Sequence, residues 1–312
     1  MTTSSIASEL EPRQRKTGAA WYWSVFAQRH RLPPIEATWP NLSLLRQVVH
    51  GFAGVPYENA SEILSLIENG PRPRLPEQMI EEHLEIGTGA TCYALARALH
   101  ELLCCYGFDP QFHLGRVGDA RPQKSFAPNH AALSVEVDEG VHICDPGMLL
   151  HEPLRVGKPG EIVVHHGARE VTVLTQPHAD SLTSMLVQTV SGFRQLAFID
   201  LTPIDELAFM KSWQRSFEPL LPAEFLFLSQ FDGDALWTVS DRFVTKRDRN
   251  GIARRPIGFL EIAGRWGLPE ELLERAWHCT PHSHGLARIR AKLRRGLCSA
   301  LDVAKRRVDY FP

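Results

Sequence analysis

The sequence contains no apolar run approaching the ~20 residues that a helix needs to cross a bilayer. Charge of one sign is also lacking, since 34 basic side chains face 36 acidic ones and the net charge is −2. This balance argues against a general polyanion or nucleic-acid binder. Six cysteines in 312 residues are too few for a disulfide scaffold, and the first residues lack the apolar middle of a signal peptide. We therefore expect a globular cytoplasmic protein with reduced thiols that binds neither membranes nor nucleic acid.

The order of hydrophobic patterns predicts an α+β fold in five parts. Residues 1–18 are expected to form a flexible leader, and residues 19–90 follow the 3.6-residue period of helices separated by prolines. Residues 91–202 begin with a strong helix and continue with short alternating segments, which predict an antiparallel β-barrel. Residues 203–280 mix helical and extended patterns. Residues 281–312 are predicted to form a basic amphipathic helix, whose charges we expect to be mostly solvated.

The sharpest local motif is Gly87-Thr88-Gly89-Ala90-Thr91-Cys92, directly before the strong helix. The glycines allow a tight turn, Thr91 can cap the helix, and Cys92 then falls in its first turn. There the free backbone N–H groups and the helix dipole stabilise a thiolate, which makes Cys92 a candidate nucleophile. The alternative is an inert cysteine buried at a helix start. A phosphate-binding loop is disfavoured, because the last glycine of G-x-G-x-x-G and the Walker Lys-Ser/Thr pair are absent.

A nucleophilic cysteine needs a base and a group that orients the base, and His130 and Asp145 are candidates for these roles. His130 opens one predicted strand, Asp145 closes the next, and a short turn at residues 138–140 joins them. Counting outward from the turn places the start of one strand near the end of its partner. We therefore expect His130 and Asp145 to be close neighbours. The alternative is a surface histidine beside a turn aspartate.

Five short motifs follow one another at characteristic spacing. They are Val55-Pro56-Tyr57-Glu58-Asn59, Gly89-Ala90-Thr91-Cys92-Tyr93, Gly107-Phe108, Asn129-His130 and Asp145-Pro146-Gly147. Their order and spacing resemble those of the arylamine N-acetyltransferase family over roughly residues 20 to 265. The family writes the first motif as Val/Ile-Pro-Phe-Glu-Asn and the nucleophile motif as Arg-Gly-Gly-Tyr/Arg-Cys. In this sequence Thr88 stands in place of the arginine and Ala90 in place of the second glycine.

The resemblance implies a helical N-terminal region, a β-barrel, an α/β lid over residues 203–280 and a cysteine-protease-like triad. Cys92 would take an acyl group from a thioester, and His130 would pair with Cys92 and then deprotonate an amine. Asp145 would fix the orientation of His130. The backbone N–H of Cys92 at the helix start is the expected oxyanion donor. The resemblance implies no metal and no bound cofactor, with acyl-CoA or acyl-phosphopantetheine as the co-substrate.

The altered nucleophile motif favours a specialised amide synthase, in natural-product biosynthesis, over a xenobiotic acetyltransferase. Its partners would be a thioester donor, which an acyl carrier protein could present, and an amine acceptor. One alternative is a thioester hydrolase or cyclase that uses the same cysteine. A second alternative is a non-catalytic module that binds a carrier protein through the basic C-terminal helix.

Three aromatic residues near the predicted site are candidates for substrate binding, namely Tyr57, Tyr93 and Phe126. Each could equally belong to the core. A group of His278, Cys279, His282 and His284 is expected to be a loop cluster and not a metal site, because it lacks a second Cys/His pair at zinc-binding spacing.

Overall fold

The computed structural model describes residues 20–35, 39–118, 128–138, 140–166, 170–178, 181–190, 193–217 and 225–280. The predictions for the leader at residues 1–18, for Phe126 and for the helix at residues 281–312 lie outside these residues. Within the described part of the chain, no helix is long and apolar enough to span a membrane.

The first part of the chain is helical, with one short strand inserted. Its elements are α1 (Ala20–Arg29), α2 (Leu42–Phe52), β1 (Tyr57–Glu58), α3 (Ala60–Asn69), α4 (Pro76–Ile86) and α5 (Cys92–Cys105). Helix α5 is buried along most of its length and belongs to the main hydrophobic core together with side chains from α1 to α4. This burial fits a helix whose sequence is apolar on nearly every face. The first residue of α5 is therefore fixed by the packing of the whole helix.

The middle of the chain forms one eight-stranded antiparallel sheet. Its strands are β2 (Gln111–Val117), β3 (His130–Val137), β4 (Gly140–Cys144), β5 (Leu154–Arg155), β6 (Ile162–His166), β7 (Glu170–His178), β8 (Ser181–Val190) and β9 (Phe193–Asp200). They lie in the order β5-β4-β3-β2-β9-β8-β7-β6. The sheet curves around its own apolar core, which includes Leu154, Val173, Leu186 and Ile199. The antiparallel barrel predicted from the alternating pattern is confirmed as a nearly closed barrel.

The last described part forms a second sheet with helices on either side of it in the chain. It contains α6 (Glu206–Ser216), β10 (Phe227–Asp232), β11 (Ala235–Ser240), β12 (Phe243–Asp248), β13 (Gly251–Pro256), α7 (Phe259–Trp266) and α8 (Glu270–His278). The sheet order is β1-β10-β11-β12-β13, so the short strand from the helical region pairs with β10. The sequence pattern predicted strands only near β11 and β12. It placed β1 in a helical region, and the structure corrects that assignment.

Candidate active site

The motif at residues 55–59 and the nucleophile motif at residues 89–93 lie side by side at the start of α5. The Ala90 N–H donates to the Pro56 carbonyl over 3.3 Å, and the Glu58 N–H donates to the Ala90 carbonyl over 3.2 Å. Gly89 lies so close to this segment that a Cβ atom there would stand 1.7 Å from the Pro56 oxygen. Only glycine fits at this position, because any side chain would collide with the backbone. The loop before Cys92 is thus held directly against β1.

Buried charged side chains also hold this loop. The Glu58 carboxylate accepts hydrogen bonds from the backbone N–H groups of Gly89 (3.1 Å) and Ser61 (3.0 Å) and from the Ser61 hydroxyl. Arg74 donates to the Gly89 carbonyl over 2.9 Å and pairs with Glu82 over 2.7 Å. In the sequence, Glu58 stood out only as part of a motif, and no pattern pointed to Arg74. Both act as positioning residues for the loop.

Cys92 is the first residue of α5, as the motif predicted, and its residue surface is 7% exposed. Its Sγ atom lies 3.8 Å from the Asn129 carbonyl oxygen. Thr91 occupies the N-cap position, but its side chain makes no capping hydrogen bond. The position predicted for the cap residue is therefore confirmed, but the predicted capping hydrogen bond of Thr91 is not formed. Cys92 lies in the first turn of α5, where the free backbone N–H groups and the positive end of the helix dipole are found.

His130 and Asp145 are bonded partners. The His130 Nε2 and Asp145 Oδ2 atoms are 2.7 Å apart, and both side chains are buried. The second carboxylate oxygen accepts from the Met148 N–H over 3.0 Å and so caps a short 3₁₀ turn at Pro146–Met148. This second bond fixes the carboxylate, and the carboxylate in turn fixes the imidazole ring.

His130 also lies close to Cys92. Cys92 is among the groups that raise the pKa of His130, and since Asp145 occupies Nε2, Nδ1 is the ring nitrogen left to pair with the sulfur. Gly147 packs against both residues, because a Cβ atom there would lie 2.7 Å from Cys92 Cβ and 2.7 Å from His130 Cε1. The structure thus brings together the three residues that the sequence singled out.

The electrostatics favour a charged imidazole. Burial lowers the pKa of His130, but the charge and hydrogen bond of Asp145 outweigh it, and Cys92 contributes in the same direction. The net effect raises the pKa of His130 from 6.5 to about 10. At neutral pH the ring is therefore an imidazolium, which is the partner that a thiolate needs.

A cavity of about 270 Å³ opens beside these residues. Its walls come from the start of α5, from the barrel and from the second sheet. The side chains that line it include Tyr57, Cys92, His130, Gln195, Phe227 and Ser229. Because β1 and β10 pair with each other, the second sheet supplies one wall of the cavity.

The aromatic residues predicted to bind substrate do not all lie at the cavity. Tyr57 lines the cavity, and the pKa of its hydroxyl is raised well above its ordinary value, first by burial and then by the nearby Cys92. Tyr93 is buried in the core, where it packs against Phe209 and Trp213. Its hydroxyl lies 3.0 Å from Ser212 Oγ. Tyr93 therefore takes the core role that was the alternative to substrate binding, and Phe126 lies outside the described residues.

Among the described residues, no group of three or more His, Cys, Asp or Glu side chains is arranged to hold a metal ion. His282 and His284 of the predicted loop cluster lie outside the described range. Cys144 is buried beside Asp145, and burial raises the pKa of its thiol.

The architecture matches that of solved arylamine N-acetyltransferases. The Mycobacterium marinum enzyme is 20% identical, with 81% of this chain and 97% of that chain covered and a TM-score of 0.67. A second structure of the M. marinum enzyme, in complex with CoA, is 20% identical over 80% of this chain and 96% of that chain, with a TM-score of 0.66. The Salmonella typhimurium enzyme is 17% identical over 83% and 98%, with a TM-score of 0.63. The chain thus has the fold of the arylamine N-acetyltransferases.

A family model described as N-acetyltransferase matches residues 41–217, which is more than half of the chain. The chain therefore belongs to the N-acetyltransferase family. This confirms the resemblance that the five sequence motifs indicated. No curated protein matches the sequence significantly.

Proposed function

We propose that this protein is an N-acyltransferase that forms an amide through an acyl-enzyme on Cys92. The observation that carries the proposal is the position of His130, whose Nε2 atom lies 2.7 Å from Asp145 Oδ2 and which adjoins Cys92 beside Gly147 in the same cavity. A cysteine at a helix start beside a buried imidazolium has the two features that generate a thiolate at neutral pH. The adjoining cavity gives a substrate access to the sulfur.

In the first half-reaction, the Cys92 thiolate attacks the carbonyl carbon of a thioester. The Cys92 Sγ–C bond forms, the C–S bond to the donor breaks, and His130 supplies the proton that the departing thiol takes. The Cys92 backbone N–H at the start of α5 is placed to stabilise the oxyanion of the tetrahedral intermediate. Attacking and leaving groups are both sulfur, so the exchange needs little driving force.

In the second half-reaction, an amine attacks the acyl-enzyme. The N–C bond forms, the C–S bond to Cys92 breaks, and His130 takes the proton that the amine loses. Asp145 keeps the ring oriented during both transfers through the bond to Nε2. The amide is more stable than the thioester, so this step draws the reaction forward, and the mechanism is ping-pong.

The donor is acyl-CoA or an acyl-phosphopantetheine carrier. The complex of the M. marinum enzyme with CoA supports the first donor. The departure of the nucleophile motif from the family pattern at Thr88 and Ala90 supports the specialised amide synthase over a general acetyltransferase.

Intact-protein mass spectrometry tests the proposal after incubation with a panel of acyl-CoA and acyl-carrier thioesters. Wild type and Cys104→Ala, which removes an exposed thiol, should gain an acyl group that an added amine removes, whereas Cys92→Ala should gain none. Cys92-dependent loss of thioester without an adduct would instead identify a hydrolase or cyclase. If no thioester reacts and iodoacetamide labels Cys92 as slowly as an ordinary thiol, the carrier-binding module is the better interpretation.

A further inference from the structure

One polar side chain inside the barrel has nothing to bind. Gln188 lies on β8 and is 1% exposed. Neither its amide nitrogen nor its amide oxygen has a hydrogen-bond partner among the described residues. A carboxamide carries two donors and an acceptor with two lone pairs, and burying all of them unpaired costs free energy.

Other buried polar side chains of the same sheet are paired. The Thr175 and Ser184 hydroxyls lie 3.2 Å apart. His113 bonds the Ser134 hydroxyl over 2.8 Å and the Asp200 carbonyl over 3.0 Å. The unpaired amide of Gln188 is therefore a local exception that calls for a partner from outside the protein.

The register of the sheet places Gln188 next to the cavity. Gln188 and Gln195 are direct partners across β8 and β9, so their Cα atoms lie roughly 5 Å apart and their side chains share one face. Gln195 lines the cavity that contains Cys92. The neighbour of Gln188 on the other side is Val171 of β7, which has no polar side-chain atom. A hydrogen-bonding group that enters beside Gln195 is thus within reach of Gln188.

The cavity also indicates the charge of its ligand. Among the described lining residues, His130 is the single ionisable group apart from Cys92 and Tyr57, and no Lys, Arg, Asp or Glu contributes. Apart from the reacting Cys92 and His130, a charged substrate group would meet no opposite charge among the described lining residues. A neutral amide or hydroxyl, in contrast, can donate to and accept from a pair of glutamines.

From this arrangement we infer that Gln188 and Gln195 form a subsite that hydrogen-bonds a neutral amide or hydroxyl group of the substrate. The inference rests on the proposed function and adds a substrate class to it. The group can belong to the thioester donor, whose pantetheine arm carries amides, or to the amine acceptor. A site built around such a bond discriminates strongly against an analogue that lacks it, because the buried amide is then left unpaired.

Two pairs of probes distinguish these sources. The donors are S-acetyl-N-acetylcysteamine, which has an amide, and S-ethyl thioacetate, which has none. The acceptors are 4-aminobenzamide and aniline. Acylation and deacylation rates are measured separately for wild type, Gln188→Met and Gln195→Met. We expect each variant to lose at least tenfold in kcat/KM with the amide-bearing member of one pair and to stay within twofold for its partner. The affected pair identifies the source.

Thermal unfolding controls for a purely structural role. Gln188→Met replaces an unpaired amide with an apolar side chain of similar size, so its unfolding midpoint should equal or exceed that of wild type. Ser184→Ala, on the same strand, removes a paired hydroxyl and should lower it. A lower midpoint for Gln188→Met, or equal rate losses with both members of each probe pair, would overturn the inference. So would unchanged rates with all four probes.

A failure of the proposed function gives a different result. If wild type accepts no acyl group from any donor, ligand-observed NMR of all four probes decides the question through binding alone. At least tenfold weaker binding of one amide-bearing probe, S-acetyl-N-acetylcysteamine or 4-aminobenzamide, to Gln188→Met, with its amide-free partner unaffected, would support the subsite. Equal binding of both amide-bearing probes to wild type and variant would refute it.

Discussion

At the scale of single residues, the charge of His130 depends on one neighbour. The Asp145 carboxylate opposes the effect of burial and keeps the ring protonated. Asp145 in turn is held by the Met148 N–H, so its own position does not depend on His130. The protonation of His130 therefore depends on Asp145, and the position of Asp145 depends on the Met148 N–H.

Replacing the Asp145 carboxylate with a neutral amide should make the protonated form of His130 much less stable. In Asp145→Asn, the main effect that opposes burial is removed, and the pKa of His130 should fall well below about 10. NMR titration of the imidazole measures this directly. Acyl transfer should fall by roughly 10³- to 10⁴-fold, as when the carboxylate of a comparable triad is replaced. Glu136→Gln, an exposed change on the same strand as His130, should leave both quantities unchanged. A wild-type pKa near 6.5 for His130 would contradict this account.

At the scale of elements, the start of α5 is held by contacts with β1 that cross the sequence. Backbone bonds join Pro56 and Glu58 to Ala90, and the Glu58 carboxylate binds the loop through Gly89. The same β1 pairs with β10, whose Phe227 and Ser229 line the cavity. One two-residue strand thus connects the nucleophile loop to the opposite wall of the site.

Gly89→Ala tests this close approach. Its Cβ would lie 1.7 Å from the Pro56 carbonyl oxygen, which is backbone and cannot rotate away. The loop and β1 must therefore separate, and we expect a loss of roughly 3 kcal/mol or more in unfolding free energy, at the upper end of single substitutions. Gly264→Ala is the matched control, since its Cβ meets nothing within 4 Å in helix α7. It should be neutral or stabilise by about 0.5–1 kcal/mol. Chemical denaturation measures both, and equal effects would refute the proposed contact.

At the scale of the whole molecule, buried histidines govern the dependence of stability on pH. Burial lowers the pKa of His30, His83 and His100 to about 4 each. His83 Nδ1 donates to the Thr88 carbonyl, and its Nε2 atom lies 3.0 Å from His30 Nε2. The bond between the two rings is lost when both are protonated, because two N–H groups then face each other.

Stability should therefore fall on acidification. Between pH 6.5 and 4 the unfolded chain binds more protons at these histidines than the folded one, so the free energy of unfolding decreases as the pH falls. His130 acts in the opposite sense: its contribution is present below pH 6.5 and is lost as the pH rises toward about 10. Burial raises the pKa values of Glu62 and Glu82, so these two carboxyl groups act against the acid effect of the histidines.

Urea unfolding at pH 5, 7 and 9 measures this profile. We expect the unfolding free energy at pH 5 to be lower than at pH 7 by at least about 1.4 kcal/mol, which corresponds to one pKa unit. The variant His30→Phe, which keeps the stacking on Phe26, should flatten the acid side. A free energy that is constant from pH 7 to 5 would show that the histidines are not held neutral.

The sequence by itself determined the features that depend on local order. The glycine motif and the helical period predicted Cys92 at the start of α5. The hairpin around residues 138–140 predicted that His130 and Asp145 would meet, and they are 2.7 Å apart. Both predictions succeeded because the period of a helix and the turn of a hairpin fix relative positions over fewer than about twenty residues.

Only the tertiary structure decided what depends on contacts between distant segments. The pairing of β1 with β10 joins residues about 170 positions apart, as the Asn59 Oδ1 bond to the Phe227 N–H shows. It also decided that Tyr93 belongs to the core and that Gln188 is buried without a partner. A short strand has no periodic signal of its own, and an aromatic or amide side chain suits several environments. The role of such a strand or side chain depends on the residues that the complete fold packs against it.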